Sequence, residues 1–467
     1  MKAALLVLAL WLAGPAAAQQ RVEERQLPNG LTIALSEMHR LPLVSVRVVL
    51  PLGGSALDPD GKSGLATLVA DLLGGASGSM TGSEFNDALD DIGATMGLSV
   101  TKEAVVLTVF TAKENLDRAL ELTAQALRRP VVTQARLDVS RDMELRRLGN
   151  DRGEPGAQAE KRLALRLFPD HAYSRLPDEA GLKAVTLQDV RLLLARAAKP
   201  GSATVVAAGD MTLPEFESLM KKHFGDWREQ RVEGVATVAG VASPASAPPV
   251  FPAGRGVEID VIDMPGTAQA AIRAGEAAPY ADDPDYLALS VANWVLGGTP
   301  IVSRLSKNLR ESRRWTYDAR SSLSSLPEAS EFMIQTDVQT DAAAAAVREI
   351  LKELARLRDE PVPAEELAAT KRQLAGSFIR SLQEVQSVSD QLAAVELHGL
   401  PLDRLETYRA RLDAVTAEQV QAAARKYLHP ESLRLVISGD AAKLAKDLAA
   451  IGTVRVFDAS GRPKPLG

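Results

Sequence analysis

The sequence predicts an α+β protein of two homologous domains, each a mostly antiparallel sheet packed with helices, related by internal duplication. Three observations carry this expectation. Residues 184–210, AVTLQDVRLLLARAAKPGSATVVAAGD, align without a gap with residues 414–440, AVTAEQVQAAARKYLHPESLRLVISGD. An apolar segment closed by Leu-Gly-Gly occurs twice, as LATLVADLLGG from Leu65 and LALSVANWVLGG from Leu287. Between the two halves the composition shifts over 230–256, which is poor in charge and rich in Pro, Ala, Gly and Val.

Each element follows from local chemistry. In the repeated segment Thr186 and Thr416 are natural N-caps, because a threonine hydroxyl accepts a bond from a free backbone N–H of the first turn. An amphipathic helix follows, Pro200 or Pro430 ends it, and a β-branched run over 203–208 or 433–438 forms a buried strand that stops at Gly-Asp. The Leu-Gly-Gly segments read as buried helices whose glycines suit a C-cap. Each follows a strand-like segment, VSVRVVLPLGG near Val44 and QAAIRAGEAAP near Gln269. Apolar residues at helical spacing predict further helices over 116–128, 137–148, 342–357 and 364–394. The stretch 230–256 reads as the linker between domains at 19–229 and 257–467.

The first residues, MKAALLVLALWLAGPAAAQQ, place Lys2 before an apolar run and then the small residues Ala16, Ala17 and Ala18. That is the layout of a secretory signal peptide, 1–18, cleaved after Ala18, and it predicts a periplasmic location. The apolar run is too short to span a membrane comfortably, and no later one is long enough, so no stable membrane insertion is expected. A net charge of −6, spread without long runs of either sign, gives no footprint for nucleic acid.

Several catalytic classes are excluded. The chain has no cysteine, hence no disulfide, thiolate ligand or thiol nucleophile. It has neither a Walker-type phosphate loop nor a Gly-x-Ser-x-Gly elbow. The glycine-rich run from Gly74 to Ser79 follows a helix, whereas a phosphate loop precedes one, so it reads as a connection. No two of the five histidines, His39, His171, His223, His398 and His429, are spaced as a helical ligand pair, and each reads as a surface or helix-end residue.

Gly53-Gly54-Ser55, Asp58, Gly61, Gly64-Leu65-Ala66, the segment FPDHAYSR from Phe168, both Gly-Asp endings and SRLSKNLRE with the later Tyr317 complete a pattern. Together with the duplication, they make essentially all of the mature chain resemble the pitrilysin/insulinase family of zinc peptidases. That family includes the mitochondrial processing peptidases and the core proteins of the cytochrome bc1 complex. The resemblance implies that Gly-Leu-Ala should be followed by His-x-x-Glu-His, in which two imidazoles on one helical face hold zinc and the carboxylate activates its water. Here those positions are Thr67, Ala70 and Asp71. The family's third ligand, a downstream Glu, falls near Arg147, with Glu144 the closest carboxylate. The resemblance therefore implies a degenerate member that binds no metal itself.

The same resemblance assigns Arg310 and Tyr317 to the family's Arg/Tyr pair, which holds the substrate backbone near the scissile bond. A guanidinium and a phenol can both donate to peptide carbonyls. The plainer alternative is that Arg310 pairs with Glu311 or another acid and Tyr317 packs as a strand residue. Where the family has Gly-Leu before Ala-Tyr, this chain has Arg314-Trp315-Thr316-Tyr317, a bulky cation in the turn. The expectation is a non-catalytic, substrate-binding subunit of a heteromeric periplasmic zinc peptidase. Zinc would come from a homologous partner chain, and the substrates would be peptides or unfolded polypeptides. The alternatives are a scaffold member without a peptidase role and an autonomous metallopeptidase with an atypical site.

Overall fold

The computed structural model describes residues 22–51, 55–74, 77–78, 80–169, 171–197, 199–228, 256–325 and 330–465. The expected signal peptide, all of the expected linker but Gly256, and Gly53 and Gly54 of the family pattern lie outside them. Two sheets form, one from each half. The first runs β1 (Val22–Gln26), β2 (Thr32–Glu37), β6 (Thr204–Gly209), β3 (Leu43–Leu50), β5 (Val105–Ala112), β4 (Thr95–Val100), and only the β2–β6 pair is parallel. The second runs β13 (Pro463–Lys464), β12 (Thr453–Phe457), β7 (Glu258–Asp263), β11 (Arg434–Gly439), β8 (Gln269–Ala278), β10 (Ser330–Gln339), β9 (Thr316–Ser324), parallel only where β12 and β11 flank β7.

The helices of the first half are α1 (Leu65–Leu73), α2 (Gly82–Asp90), α3 (Leu116–Arg128), α4 (Gln134–Asp151), α5 (Pro155–Leu167), α6 (Glu179–Ala184), α7 (Leu187–Ala197) and α8 (Leu213–Phe224). Those of the second are α9 (Tyr286–Leu296), α10 (Ala343–Asp359), α11 (Ala364–Ser381), α12 (Val385–Leu397), α13 (Arg404–Ala414), α14 (Ala417–Tyr427) and α15 (Ala441–Leu448). The α4, α5, α7 and β6 elements recur as α11, α12, α14 and β11 with both ends displaced by the same 230 residues. Thr416 caps α14 in a reciprocal box with Gln419, and Thr186 exchanges bonds with Asp189 at the start of α7.

One expectation needs correction. The helix expected over 364–394 is two helices, because α11 closes at Leu382, whose N–H bonds the Phe378 carbonyl, and α12 then departs to cover the other sheet. As expected, the Leu-Gly-Gly helices are capped by glycine, Gly74 bonding the Ala70 carbonyl and Gly297 the Asn293 carbonyl, but with φ −81 and −155 neither needs the left-handed conformation. They are there for space. A Cβ at Gly74 would lie 2.7 Å from Leu98 Cδ1 of β4, and one at Gly297 would lie 2.4 Å from Ser321 N of β9. Each glycine thus lets an edge strand press against the helix end.

Both sheets are apolar on both faces. Along β6, Val205 and Ala207 join the core under the helices of the first half, while Val206 and Ala208 belong to a second cluster on the opposite face. That face is covered by Val388, Leu392 and Ala393 of α12, which comes from the second half. Reciprocally, Ala159, Leu163 and Leu167 of α5 cover Ile262 and Val436 of the second sheet. Each fully buried leucine in such a contact contributes about 2 kcal/mol of transfer free energy.

Polar pairs aim the exchanged helices. Arg47 of β3, paired in register with Val206, reaches Asp390 of α12 at 3.2 Å. Arg273 of β8, paired with Val436, reaches Glu160 of α5 at 3.1 Å. Arg162 of α5 also donates to Asp260, 1% exposed, at 2.7 Å, and Arg455 holds the other oxygen of the same carboxylate at 2.6 Å.

One carboxylate on α12 opposes this packing. Burial, and then Glu24 of β1, push the Glu396 carboxyl up to about 7, and its Oε1 is buried without a hydrogen-bond partner. An unfolded glutamate titrates near ~4.3. Between those values the folded protein holds a proton that the unfolded chain has released, so this group's contribution to stability falls as pH rises through the window. The neutral Glu396→Gln protein should match the unaltered protein in urea melts at pH 4 and be more stable by about 1–2 kcal/mol at pH 8.

Candidate functional site

The entry to α1 is a buried clamp. Asp58, 2% exposed, accepts the backbone N–H groups of Gly64 at 2.5 Å and Ala66 at 2.9 Å, and so satisfies donors that a helix start leaves free. Burial raises its carboxyl to about 6 against the lowering effect of those bonds. Gly64 sits at φ 94, where a side chain would also strike Leu182. Arg175, at the end of FPDHAYSR, donates to the Asp58 carbonyl at 3.0 Å and pairs with Asp60 at 3.0 Å. The family-like residues around α1 therefore build and aim the helix.

The three degenerate positions stand on this aimed helix. Ala70 is 3% exposed and belongs to the core, and Thr67 is half-buried. Asp71 reaches solvent yet accepts the Ser140 hydroxyl of α4 at 2.6 Å, and the protein around it, with Glu144 adding repulsion, raises its pKa. One and two turns beyond Ser140 on α4 stand Glu144 and Arg147, paired at 2.7 Å, and Arg147 also reaches Asp151 at 3.2 Å. Its guanidinium acts on Asp71 through space.

Where zinc chemistry would need two imidazoles and a carboxylate, the chain offers a threonine, an alanine, an aspartate and an arginine. These do not fit the metal, and among the described residues no group of three or more His, Asp or Glu side chains could hold one. A protein-borne cation now stands among the acids instead. Ser140, the partner of Asp71, is absent from the sequence expectations. Its signal is the seven-residue spacing to Arg147, which puts both on one face of α4.

The histidines do not compensate. His39 bonds Asp210 at 2.7 Å and Glu37 at 3.3 Å, and His429 bonds Glu276 at 3.0 Å. His171 and His223 are buried helix-end residues: the His171 ring caps the 3-10 turn 172–174 by accepting the Tyr173 N–H at 3.1 Å, and His223, in the last turn of α8, meets Asp117 at 2.8 Å.

Arg147 lines a cleft of about 640 Å³ bounded by α4, α5 and β10. Lys102 and Glu331, 3.5 Å apart, bridge the two halves at its margin. Its lining includes neither Arg310 nor Tyr317.

Arg310 and Tyr317 do come together. Arg310 sits in a π-helical turn, Ser306–Ser312, and Tyr317 is the second residue of β9, an edge strand of the second sheet. The Arg310 guanidinium carbon lies 5.2 Å from the Tyr317 ring centroid, and its Nη1 donates to the Pro300 carbonyl at 3.3 Å. Tyr317 is 86% exposed, so it does not pack as an interior strand residue. Among the described residues Arg310 has no carboxylate within ion-pair distance, Glu311 included.

Arg314, the departure noted in the turn, has φ 57, the left-handed conformation glycine adopts freely and other residues adopt at a cost of about 1–2 kcal/mol. Neighbouring contacts hold it there. The Arg313 N–H bonds the Asn308 carbonyl, the Trp315 N–H bonds the Leu309 carbonyl, and the Arg313 guanidinium stacks 4.7 Å from the Trp315 ring. Arg314→Gly should raise the melting temperature while leaving the Arg310–Tyr317 pair in place, as read by thermal unfolding.

A second outcome concerns the metal. Thr67→His, Ala70→Glu and Asp71→His together should still bind zinc poorly in calorimetry, because the Arg147 guanidinium acts on position 71 and would repel the cation. Adding Arg147→Glu should tighten zinc binding by at least tenfold.

Comparison with known proteins agrees with this geometry. Residues 32–173 match the family described as insulinase (peptidase family M16), and residues 184–374 match its peptidase M16 inactive domain. An uncharacterized zinc protease of Mycobacterium leprae is 23% identical over 407 residues, covering 86% of this chain and 88% of that protein. The mitochondrial-processing peptidase subunit beta of Blastocladiella emersonii is 23% identical over 440 residues, covering 90% and 89%. Among solved structures, a peptidase M16 inactive domain from Pseudomonas fluorescens superposes with a TM-score of 0.80 at 23% identity, over 90% of this chain and 98% of that one. A protease from Helicobacter pylori superposes with a TM-score of 0.77 at 20% identity, over 90% and 100%. With both family domains matched across most of its length, and Thr67, Ala70 and Asp71 standing where the family's His-x-x-Glu-His would follow Gly-Leu-Ala, the chain belongs to the insulinase (M16) peptidase family as a member without its catalytic motif.

Proposed function

We propose that this protein is the non-catalytic, substrate-binding subunit of a heteromeric peptidase, exported to the periplasm and paired with a homologous chain that carries the zinc. The observation that carries this reading is Tyr317, 86% exposed and stacked with Arg310, on a chain whose own metal helix has lost its ligands. An aromatic ring left this exposed adds little buried area to the core. Its phenol and the remaining guanidinium N–H groups are free to donate to the carbonyls of a bound peptide, orienting the backbone and stabilising charge that develops on an attacked carbonyl.

A second feature suits an extended substrate. β4 is the outer strand of the first sheet, and its residues alternate between exposed and half-buried. A peptide laid along such an edge gains main-chain hydrogen bonds without regard to its sequence. Substrates would then be chosen by flexibility and size, which suits peptides and unfolded polypeptides.

The test is hydrolysis of a quenched peptide by this chain, by a zinc-bearing homologue, and by the two mixed. Activity should exist in the mixture alone and fall at least tenfold with Arg310→Ala or Tyr317→Phe. A mixture that is inactive, or indifferent to both substitutions, assigns the protein to a scaffold role instead.

A further inference from the structure

The repeat that duplicates α4 and α5 also duplicates the cleft they bound. Arg147, Leu148, Asp151 and Lys161 of the first cleft correspond, 230 residues on, to Ser377, Phe378, Ser381 and Gln391, and all four line a second cavity of about 490 Å³ among α9, α11, α12 and α13. The three charged positions of the first have become hydroxyl and amide groups, and its leucine an aromatic. The second cavity has gained its own cation from a different element, Arg404 at the start of α13.

We propose that this second cavity binds the C-terminal residue of a short peptide, with Arg404 holding the free α-carboxylate and Tyr286, Phe378 and Tyr408 enclosing an aromatic or branched apolar side chain. The site lies apart from Arg310 and Tyr317 and requires no partner chain.

The guanidinium is the reason to commit to a carboxylate. Arg404 spends one N–H on the Ala281 carbonyl at 2.7 Å, and among the described residues no carboxylate lies within ion-pair distance of it. Asp282 acts on it only through space, and burial is the main influence lowering its pKa. A half-buried arginine with donors to spare presents a planar fork that matches a carboxylate in two parallel bonds, and withdrawal of water strengthens them.

The walls give the side chain its class. Phe378 and Tyr408 stack with centroids 4.2 Å apart at 35°, and burial holds both tyrosine hydroxyls toward their neutral, protonated form. His398 lines the same space, and burial followed by repulsion from Arg404 lowers its pKa. A neutral imidazole there can bond the amide that precedes the terminal residue, as can the Gln391 side chain. The volume lies within the roughly 300–1,000 Å³ of small-ligand sites. These polar groups on the wall are what favour a peptide over a free aromatic acid.

The test is calorimetry on the mature full chain with N-acetyl-alanyl-phenylalanine, its C-terminal amide, and 3-phenylpropanoate. The free-acid peptide should bind at least tenfold more tightly than either of the others. Arg404→Gln, checked for an unchanged melting temperature, should abolish the preference for acid over amide. Equal binding of acid and amide, or no binding of either, overturns the proposal, and that comparison needs no variant. A preference that survives Arg404→Gln overturns the role of Arg404, and 3-phenylpropanoate binding as tightly as the peptide overturns the assignment to peptides.

Discussion

Each sheet of this protein has two apolar faces, and each half of the chain brings the helices for only one of them. The second face is closed by a helix borrowed from the other half: α12 over the first sheet and α5 over the second. Neither half can keep water from its own core alone, so the two must associate. The constraint reaches the side chains, because Arg47 and Arg273 occupy equivalent register positions and each holds an acid on the incoming helix. It reaches the candidate sites too, since α4 and α5 bound one cavity and α11 and α12 the other.

The same constraint accounts for a helix that outlasts its chemistry. α1 carries no metal ligands, yet Leu65, Ala66, Leu68, Val69, Ala70, Leu72 and Leu73 all lie in the core. Replacing a charged residue by Ala70 there costs the fold nothing, because an unpaired charge at a buried position is expensive. The Asp58 clamp persists for the same reason: it serves the helix start, which packing still requires.

What the sequence discloses here is what repeats or what is local. The duplication is visible as a gapless match and the caps at Thr186 and Thr416 as hydroxyls before an amphipathic run, while the lost motif at Thr67, Ala70 and Asp71 is visible only against the family resemblance. The exchange of α5 and α12 is not visible, because Ser45 and Ser389, which meet at 2.8 Å, are separated by most of the chain and share no local pattern. For the same reason 364–394 reads as one helix: nothing in its periodicity records that its second part must leave for another sheet. Arg314 gives no warning of its left-handed backbone, which hydrogen bonds on either side impose. The Arg310–Tyr317 pairing was legible only through the family resemblance, whereas the bare guanidinium of Arg404 depends on which walls surround it.

The borrowed helices also set the order of events as the chain is made. The first sheet is complete in sequence once β6 ends at Gly209, but its outer cover does not begin until Val385. Throughout the synthesis of the intervening segment, Ala34, Val49, Val206 and Ala208 have nothing of their own to lie against. Exposed sheet surface of that kind is prone to aggregate. A chain built this way gains from staying uncollapsed until its far end has been made. Its folding is therefore a single late event rather than two successive ones, and truncation after the first half would leave an insoluble fragment where the duplicated sequence offers a domain.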